Sequence, residues 1–296
     1  MANTESTQNS FSKTWRVIDL INWATEYLTA KNITNGRLEV EWYLTRLLEC
    51  ERIDLYLQFD RPLDPPELRQ IKDFIQRRVK GEPFQYILGV APFYGRDFVV
   101  NQQVLIPRPE TELIIEQLRE LGPVQDLLEV GTGSGCLVIT ALLEGLARHA
   151  IATDISSDAL QVAKQNSQRL GCEAVSFRRH DFLKDKIQSK FDAIISNPPY
   201  VSTDEWPDLE NGIRNWEPGS ALLDGKDGLS FYSHFARTGH QLLRSGGFML
   251  LETGGDHQRD AVEKIFTQSG YRIQFHKDLQ GNCRVAFVRQ QAEGES

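Results

Sequence analysis

Apolar and polar residues recur at two different periods in this chain, and the change of period divides it. From Trp15, apolar residues fall at Val17, Leu20, Ile21, Ala24 and Leu28, which is one face of a helix. A second helix is expected over about 38–48 and a third, short one over 53–57. The next helix carries its own start signal: Asp64 can cap, Pro65 suits the first helical position, and Glu67 stands three residues after the cap. Leu68, Ile71, Ile75 and Val79 then line one face, and Arg69, Lys72, Arg77, Arg78 and Lys80 occupy the other. That basic face reads as a solvated surface or as a docking surface for an anionic partner. The pattern breaks over 81–95. Residues 93–104 are expected to form a short β-hairpin with a turn near Asn101.

From Glu112 onward, short apolar runs alternate with helical ones. Strands are expected over 126–130, 150–154, 175–178, 191–196, 248–252, 271–276 and 284–288. Helical patterns separate the first five, for example over 158–170 and 229–243. Apolar strands alternating with helices imply a parallel sheet covered on both faces. Only a short loop with Gly281-Asn282 separates the last two strands, which suits an antiparallel hairpin at the end of the sheet. The tail after Gln290 is polar and is expected to be disordered. No internal repeat is visible. The expected organisation is a helical domain over 1–90, a hairpin connector over 91–106 and an α/β domain over 107–296.

Composition narrows the class. The 296 residues are 40% hydrophobic and 25% charged, ordinary for a globular protein with a sizeable core. A net charge of -8 argues against broad affinity for nucleic acid, which needs basic surface to release counterions. The four cysteines Cys50, Cys136, Cys172 and Cys283 form no CxxC pair and read as reduced, buried thiols. The six histidines are dispersed without an HExxH, so no metal site is expected. No stretch approaches the roughly 18 apolar residues of a membrane span. Residues 1–12 are polar, include Glu5 and hold no basic residue before Lys13, unlike a signal or transit peptide. A cytoplasmic protein is expected.

The chemistry concentrates in the α/β region. Leu127-Leu128-Glu129-Val130 leads into Gly131-Thr132-Gly133-Ser134-Gly135 and then a helical run from Cys136. A strand, a glycine-rich turn and a helix let backbone approach a ligand closely. The spacing is GxGxG and Cys136 follows it, unlike the GxGxxG of dinucleotide sites, so a nucleoside without a pyrophosphate is favoured. Asp154 ends the next strand, about 20 residues on, where a carboxylate can accept from both ribose hydroxyls. Its plainer role would be a helix cap, which Ser156 and Ser157 can also supply. Asp181-Phe182 follows the third strand, where an adenine ring would lie, although Phe182 could equally be core. The loop and the carboxylate together point to S-adenosylmethionine.

The sharpest feature is Asn197-Pro198-Pro199-Tyr200, directly after the strand over 191–196. The carboxyl end of that strand is expected beside the glycine loop, in the crevice where such sheets bind ligands. An amide nitrogen is a poor nucleophile because its lone pair is delocalised into the carbonyl. On accepting a methyl group it becomes tetrahedral and gains positive charge. Two acceptors aimed at its N–H bonds would orient it and stabilise that charge. The side-chain oxygen of Asn197 and the carbonyl of Pro198 suit these roles, and Tyr200 can lie against the planar group. A turn without function is the alternative for an isolated sequence of this kind.

With these residues the chain resembles the release factor glutamine methyltransferase family, HemK or PrmC. The resemblance extends from about Leu38 to Val288 and includes Gly81-Glu82-Pro83-Phe84-Gln85-Tyr86-Ile87-Leu88-Gly89 and Val104-Leu105-Ile106-Pro107-Arg108-Pro109-Glu110-Thr111-Glu112. It implies a small N-terminal all-α domain joined by a hairpin to a seven-stranded, Rossmann-like class I S-adenosylmethionine methyltransferase domain. It also implies N5 methylation of the glutamine in the Gly-Gly-Gln loop of peptide-chain release factors. Carried onto this sequence, Gly131, Thr132, Gly133, Ser134, Gly135, Asp154, Phe182 and Asn197 bind cofactor, while Asn197, Pro198, Pro199 and Tyr200 hold the substrate glutamine. Phe182 is a looser match, because the family often places a larger aromatic there. Pro107-Arg108-Pro109 closes over the cofactor, shapes the substrate mouth or acts as a rigid linker. Three rivals remain: glutamine methylation of a ribosomal protein, N6 methylation of adenine in nucleic acid, and a module that binds the nucleoside without turnover. The adenine reading wants a basic groove and a target-recognition domain, which an acidic chain with a short helical region does not offer. A monomer is expected, recognising its protein substrate partly through the helical domain.

Overall fold

Chain contacts in the computed structural model fall into two units, divided between Leu88 and Gly89. Residues 14–291 are described; the expectations for the first twelve residues and for the tail lie outside them.

The first unit is helical: α1 (Val17–Thr29), α2 (Gly36–Leu47), α3 (Arg52–Leu57), α4 (Pro65–Val79) and α5 (Phe84–Leu88). The apolar face read from the sequence of α1 is buried at each of its five positions. α4 starts on a reciprocal capping box, in which Asp64 Oδ1 accepts from the Glu67 amide and Glu67 Oε2 from the Asp64 amide, both at 2.8 Å. Of the five basic residues on α4 and its C-cap, Lys80, two correct the expected open face. Arg77 donates to both oxygens of Glu82 at 2.8 and 2.6 Å, and Arg78 to both oxygens of Glu39 at 2.7 and 3.1 Å. These arginines are bound into their own unit, while Arg69, Lys72 and Lys80 are exposed. The short helix α5 falls where the periodicity breaks. Its five residues are too few to show a period, and Phe84 is fixed by edge contact with Phe74, ring centroids 5.9 Å apart.

The second unit opens with the hairpin β1 (Val90–Phe93) and β2 (Arg96–Val99). Its turn is Tyr94-Gly95, with φ of 50° and 73°, not the expected Asn101. Two positive φ values give the tight two-residue turn that matches strand twist. Tyr94 tolerates its conformation because its amide donates to Glu112 Oε1 at 2.7 Å. Asn101 forms a separate turn, accepting from the Gln103 amide at 2.9 Å. The hairpin belongs with the α/β unit.

Then follow α6 (Glu112–Leu121), β3 (Val124–Val130), α7 (Cys136–Leu143), β4 (Ala147–Asp154), α8 (Ser157–Arg169), β5 (Val175–Arg179), β6 (Phe191–Ser196), α9 (Asn211–Trp216), α10 (Ser230–Leu242), β7 (Leu243–Glu252), α11 (Asp256–Gln268), β8 (Tyr271–Lys277) and β9 (Cys283–Gln290). The seven-stranded sheet has the order β5-β4-β3-β6-β7-β9-β8, parallel except at β9, which runs antiparallel to β7 and β8. Successive strand residues point to opposite faces. Leu127, Ala193, Ile195 and Leu250 accordingly pack with α6 and α7 on one side, and Leu128, Ile194, Met249 and Leu251 with α10 and α11 on the other. One expected helix is missing: residues 180–190, between β5 and β6, form no α-helix. Only a single turn forms there: the Lys184 and Asp185 amides donate to the Asp181 carbonyl, and the Asp181 side chain accepts from the Leu183 amide.

β3 neighbours β4 on one side and β6 on the other, so the sheet reverses its winding there and a crevice opens at the strands' carboxyl ends. Among the described residues, no helix is long and apolar enough to cross a membrane. All four cysteines are free; Cys172 and Cys283 are buried, whereas Cys50 and Cys136 are only half-buried, against the expectation for them.

Candidate active site

The glycine loop follows β3, and Val130 pairs in register with both Thr153 on β4 and Ser196 on β6. The residues just beyond those strand ends therefore meet. Gly131 stands against the Asn197 carbonyl, which a Cβ there would approach to 3.8 Å. Gly131, Gly133 and Gly135 have φ of 73°, 53° and 81°, a region that side chains with a Cβ rarely adopt. At Gly135 a Cβ would also lie 2.9 Å from Ile139 Cδ1 and 3.2 Å from Ala163 Cβ. The loop is clamped to β4, since the Gly131 and Thr132 amides both donate to the Thr153 carbonyl at 2.9 Å. Asp154 extends the clamp: Oδ2 accepts from the Gly133 amide and Oδ1 from the Ser156 amide, each at 2.9 Å. The cap of α8 is Ser156, which accepts from the Ala159 amide at 3.1 Å, so Asp154 is not needed for that task. Burial raises the pKa of Asp154.

A cavity of about 340 Å³ lies in this crevice. Its walls include Gly131, Thr132, Gly133, Ser134, Asp154, Phe182 and Asn197, so all the expected cofactor residues except Gly135 line one space. Gly135 sits behind it, at the start of α7. Phe182 is both wall and core, stacking near-parallel on Phe231, a second wall residue, with centroids 6.4 Å apart. Of the Asn-Pro-Pro-Tyr residues, Asn197 and Pro199 line the cavity. Pro198 is buried. Tyr200 packs against the core on the α10 side and points its hydroxyl at Glu252 Oε1, 3.4 Å away.

The stretch around Pro107-Arg108-Pro109 is part of the cavity and not a linker outside it. Gln103, Pro107 and Arg108 form one wall, and Pro218, Ser220 and Asp224 another. Arg108 joins the two, its guanidinium at 2.5 Å from Glu217 Oε1, while Glu217 Oε2 accepts from the Ile106 amide at 3.1 Å.

Known proteins resemble this chain over most of its length. The family model for the PrmC N-terminal domain matches residues 19–89, and that for the methyltransferase small domain matches 109–209. A release factor glutamine methyltransferase of Geobacter sulfurreducens is 37% identical, covering 87% of this chain and 90% of the relative. One from Koribacter versatilis is 40% identical over 90% of this chain and 95% of its own, and one from Bacillus subtilis 37% over 91% and 96%. The chain belongs to the release factor glutamine methyltransferase family.

Solved structures place the fold of this family member in a wider class. A methyltransferase from Pyrococcus furiosus superposes with a TM-score of 0.51 at 18% identity, covering 75% of this chain and 96% of that one. The hMettl16 catalytic domain, in complex with a 3'UTR hairpin, gives 0.55 at 14%, covering 79% and 85%. The chain has the class I S-adenosylmethionine methyltransferase fold.

Several residues of this site carry no clear signal in the sequence. Glu129, ahead of the glycine loop, is 1% exposed, and burial pushes its pKa up to about 8 even though Thr132 donates to it. Glu252, at the end of β7, is also 1% exposed. Burial pushes it up to about 7, with Arg284 opposing the rise and Glu110 adding to it. It accepts from Thr111 Oγ1 at 2.6 Å, and Thr111 in turn accepts from Asn197 Nδ2 at 3.2 Å. Asn166 on α8 binds the Ser134 carbonyl at 2.9 Å and both backbone groups of Val99, tying β2 to the glycine loop. Asp224 lines the cavity, and its buried Oδ1 has no partner. An acid at or next to a strand end is the only trace Glu129 and Glu252 leave in the sequence; Asn166 and Asp224 leave none.

Proposed function

We propose that this protein transfers a methyl group from S-adenosylmethionine to the side-chain amide nitrogen, N5, of the glutamine in the Gly-Gly-Gln motif of a peptide-chain release factor. The observation that carries the reading is the meeting of Asn197 with Gly131 across paired strand ends, on the wall of one cavity. It brings a candidate amide-binding loop to a candidate cofactor loop.

The cavity suits the cofactor in shape and polarity. Left-handed glycines at Gly131 and Gly133 leave room for close approach, Asp154 offers a buried carboxylate, and the Asp224 Oδ1 has capacity for a donor. In this reading Gly131, Thr132, Gly133, Ser134 and Asn197 hold S-adenosylmethionine, with Gly135 shaping the loop from behind. Asp154 takes the ribose, and Phe182 flanks the adenine. When bound, the cofactor supplies an electrophilic methyl group on sulfur, so the chain needs no strong base.

The protein's task is orientation. Asn197 Oδ1 and the Pro198 carbonyl accept from the two N–H bonds of the glutamine amide, which holds its nitrogen in line and stabilises the positive charge that develops there. Pro199 closes the cavity wall, and Tyr200, with its hydroxyl held by Glu252, flanks the planar group. Methyl transfer would leave positive charge on the amide nitrogen, which Asn197 Oδ1 and the Pro198 carbonyl face until one N–H proton passes to water. The helical unit, the region matched by the PrmC N-terminal model, contributes recognition of the protein substrate, and the enzyme works as a cytoplasmic monomer without nucleic acid.

The test is methyl transfer from radiolabelled S-adenosylmethionine to three acceptors: a release factor, ribosomal protein and double-stranded DNA. Label on the release factor that disappears when its Gly-Gly-Gln glutamine is replaced supports the reading. Label on DNA or ribosomal protein alone moves the activity to another acceptor. Asn197→Ala should lower turnover about 10²–10³-fold with modest loss of cofactor binding, and unchanged methyl transfer in that variant would contradict the mechanism.

A further inference from the structure

A threonine hydroxyl has one hydrogen to donate, and Thr111 gives it to Glu252. Thr111 Oγ1 lies 2.6 Å from Glu252 Oε2 and 3.2 Å from Asn197 Nδ2. Two of the three are enclosed, Thr111 at 3% exposed and Glu252 at 1%, and Asn197 is half-buried on the cavity wall. Ionised, as it is above its pKa of about 7, Glu252 only accepts, so the hydrogen between Thr111 and Glu252 then belongs to Thr111. With that hydrogen committed, the Thr111 oxygen can do nothing toward Asn197 except accept. The Asn197 amide must therefore turn its nitrogen to Thr111 and its oxygen the other way.

The choice of end matters for chemistry. The two ends of an asparagine amide are alike in shape and opposite in hydrogen bonding. Turned over, Asn197 would present N–H donors to an acceptor nitrogen that itself carries N–H bonds, and the developing charge would meet the wrong dipole. We propose that Thr111 and Glu252 are positioning residues, forming a one-directional hydrogen-bond chain that fixes the oxygen of the Asn197 amide toward the substrate glutamine. This rests on the reading in which Asn197 Oδ1 accepts from that glutamine. Glu252 also accepts from the Tyr200 hydroxyl at 3.4 Å, so one buried carboxylate reaches both ends of the Asn-Pro-Pro-Tyr loop. Three elements far apart in sequence converge here: the turn ending at Thr111, the end of β6 and the end of β7.

The test compares Thr111→Val, which keeps the shape and removes the hydroxyl, with Thr111→Ser, which keeps the hydroxyl. Methylation of a release factor should show kcat reduced about 30-fold in Thr111→Val and less than about threefold in Thr111→Ser, a loss of the size expected for one misaligned transition-state contact. The dissociation constant of S-adenosylmethionine should stay within about threefold in both. Proton NMR of the cofactor-free enzyme should show one slowly exchanging Asn197 side-chain amide proton in the wild type, and faster exchange of it in Thr111→Val. A Thr111→Val enzyme with wild-type kcat overturns the proposal. So does rapid, solvent-like exchange of both Asn197 amide protons in the wild type, whatever the stability of the variants. If the wild type leaves release factor unlabelled, the function reading fails separately, and the NMR comparison still decides whether the chain orients Asn197.

Discussion

Arg108 and Glu217 stand 109 residues apart in the chain and form an ion pair on the wall of the cavity, with the Glu217 side chain 2% exposed. The pair fixes the Pro107-Arg108-Pro109 stretch against the segment that begins at Pro218. Arg108→Ala strands a buried carboxylate, which should cost about 2 kcal/mol of stability, less than a fully buried pair because Arg108 is partly exposed. Affinity for S-adenosylmethionine should fall about tenfold as the wall loosens. Thermal melts and titration calorimetry check both, and the double variant Arg108→Met, Glu217→Gln should recover most of the stability without the affinity.

Asp154 holds two backbone amides with two carboxylate oxygens. An asparagine has only one acceptor atom, so Asp154→Asn must leave the Gly133 or the Ser156 amide unmatched. The expected result is a loss of about 1–3 kcal/mol in stability and a weakening of cofactor binding by at least about tenfold, measured by denaturant unfolding and calorimetry. Unchanged cofactor affinity would remove Asp154 from the site.

Glu129 gives a stability signature with pH. Its pKa is raised from 4.5 to about 8 on folding, so the folded protein holds this proton more tightly than the unfolded chain. The favourable contribution of the protonated group is fully present below pH 4.5 and is lost as the pH climbs through about 8. Glu129→Gln removes the titration and keeps the shape. Across that window the variant should therefore gain on the wild type by a few kcal/mol, on the order of 1.4 kcal/mol for each pH step of one crossed. Unfolding free energies measured at intervals of pH check the slope; parallel curves for the two proteins would refute it.

The glycines of the loop should differ sharply. Both Gly133 and Gly135 have positive φ, but nothing lies within 4 Å of a Cβ at Gly133, whereas one at Gly135 meets Ile139 Cδ1 at 2.9 Å. Gly133→Ala should cost about 1 kcal/mol from backbone strain alone. Gly135→Ala adds a collision between α7 and α8 and should cost about 3 kcal/mol or more. Unfolding titrations of the two variants compare them directly, and equal losses would show that packing at Gly135 gives way.

Much of this protein is encoded in short stretches of chain. The buried face of α1, the capping box at Asp64, the alternating strands and the glycine loop each depend on residues a few positions apart, so their spacing announces them. The hairpin turn at Tyr94-Gly95 is hard to read because Tyr94 is no turn former and its positive φ is supported by Glu112, eighteen residues on. The helix expected after β5 shortens to a single turn at Asp181, and apolar spacing alone does not register where a helix fails to continue. The basic face of α4 changes meaning once Glu39 is brought to Arg78 from α2.

Spacing along the chain is enough to specify the α/β class, the loops that meet in the crevice and the glycine-loop, Asp154 and Asn197 part of its lining, because strand ends and glycine turns are encoded over short spans. How those residues are held depends on the folded arrangement. The sheet order puts β6 beside β3 and so brings Asn197 to Gly131. The partners that fix the site, Thr111 with Glu252 and Arg108 with Glu217, lie 141 and 109 residues apart. Hydrogen bonds and ion pairs act over a few ångströms of space and leave no period along the chain, so they become readable only when the fold has closed that distance.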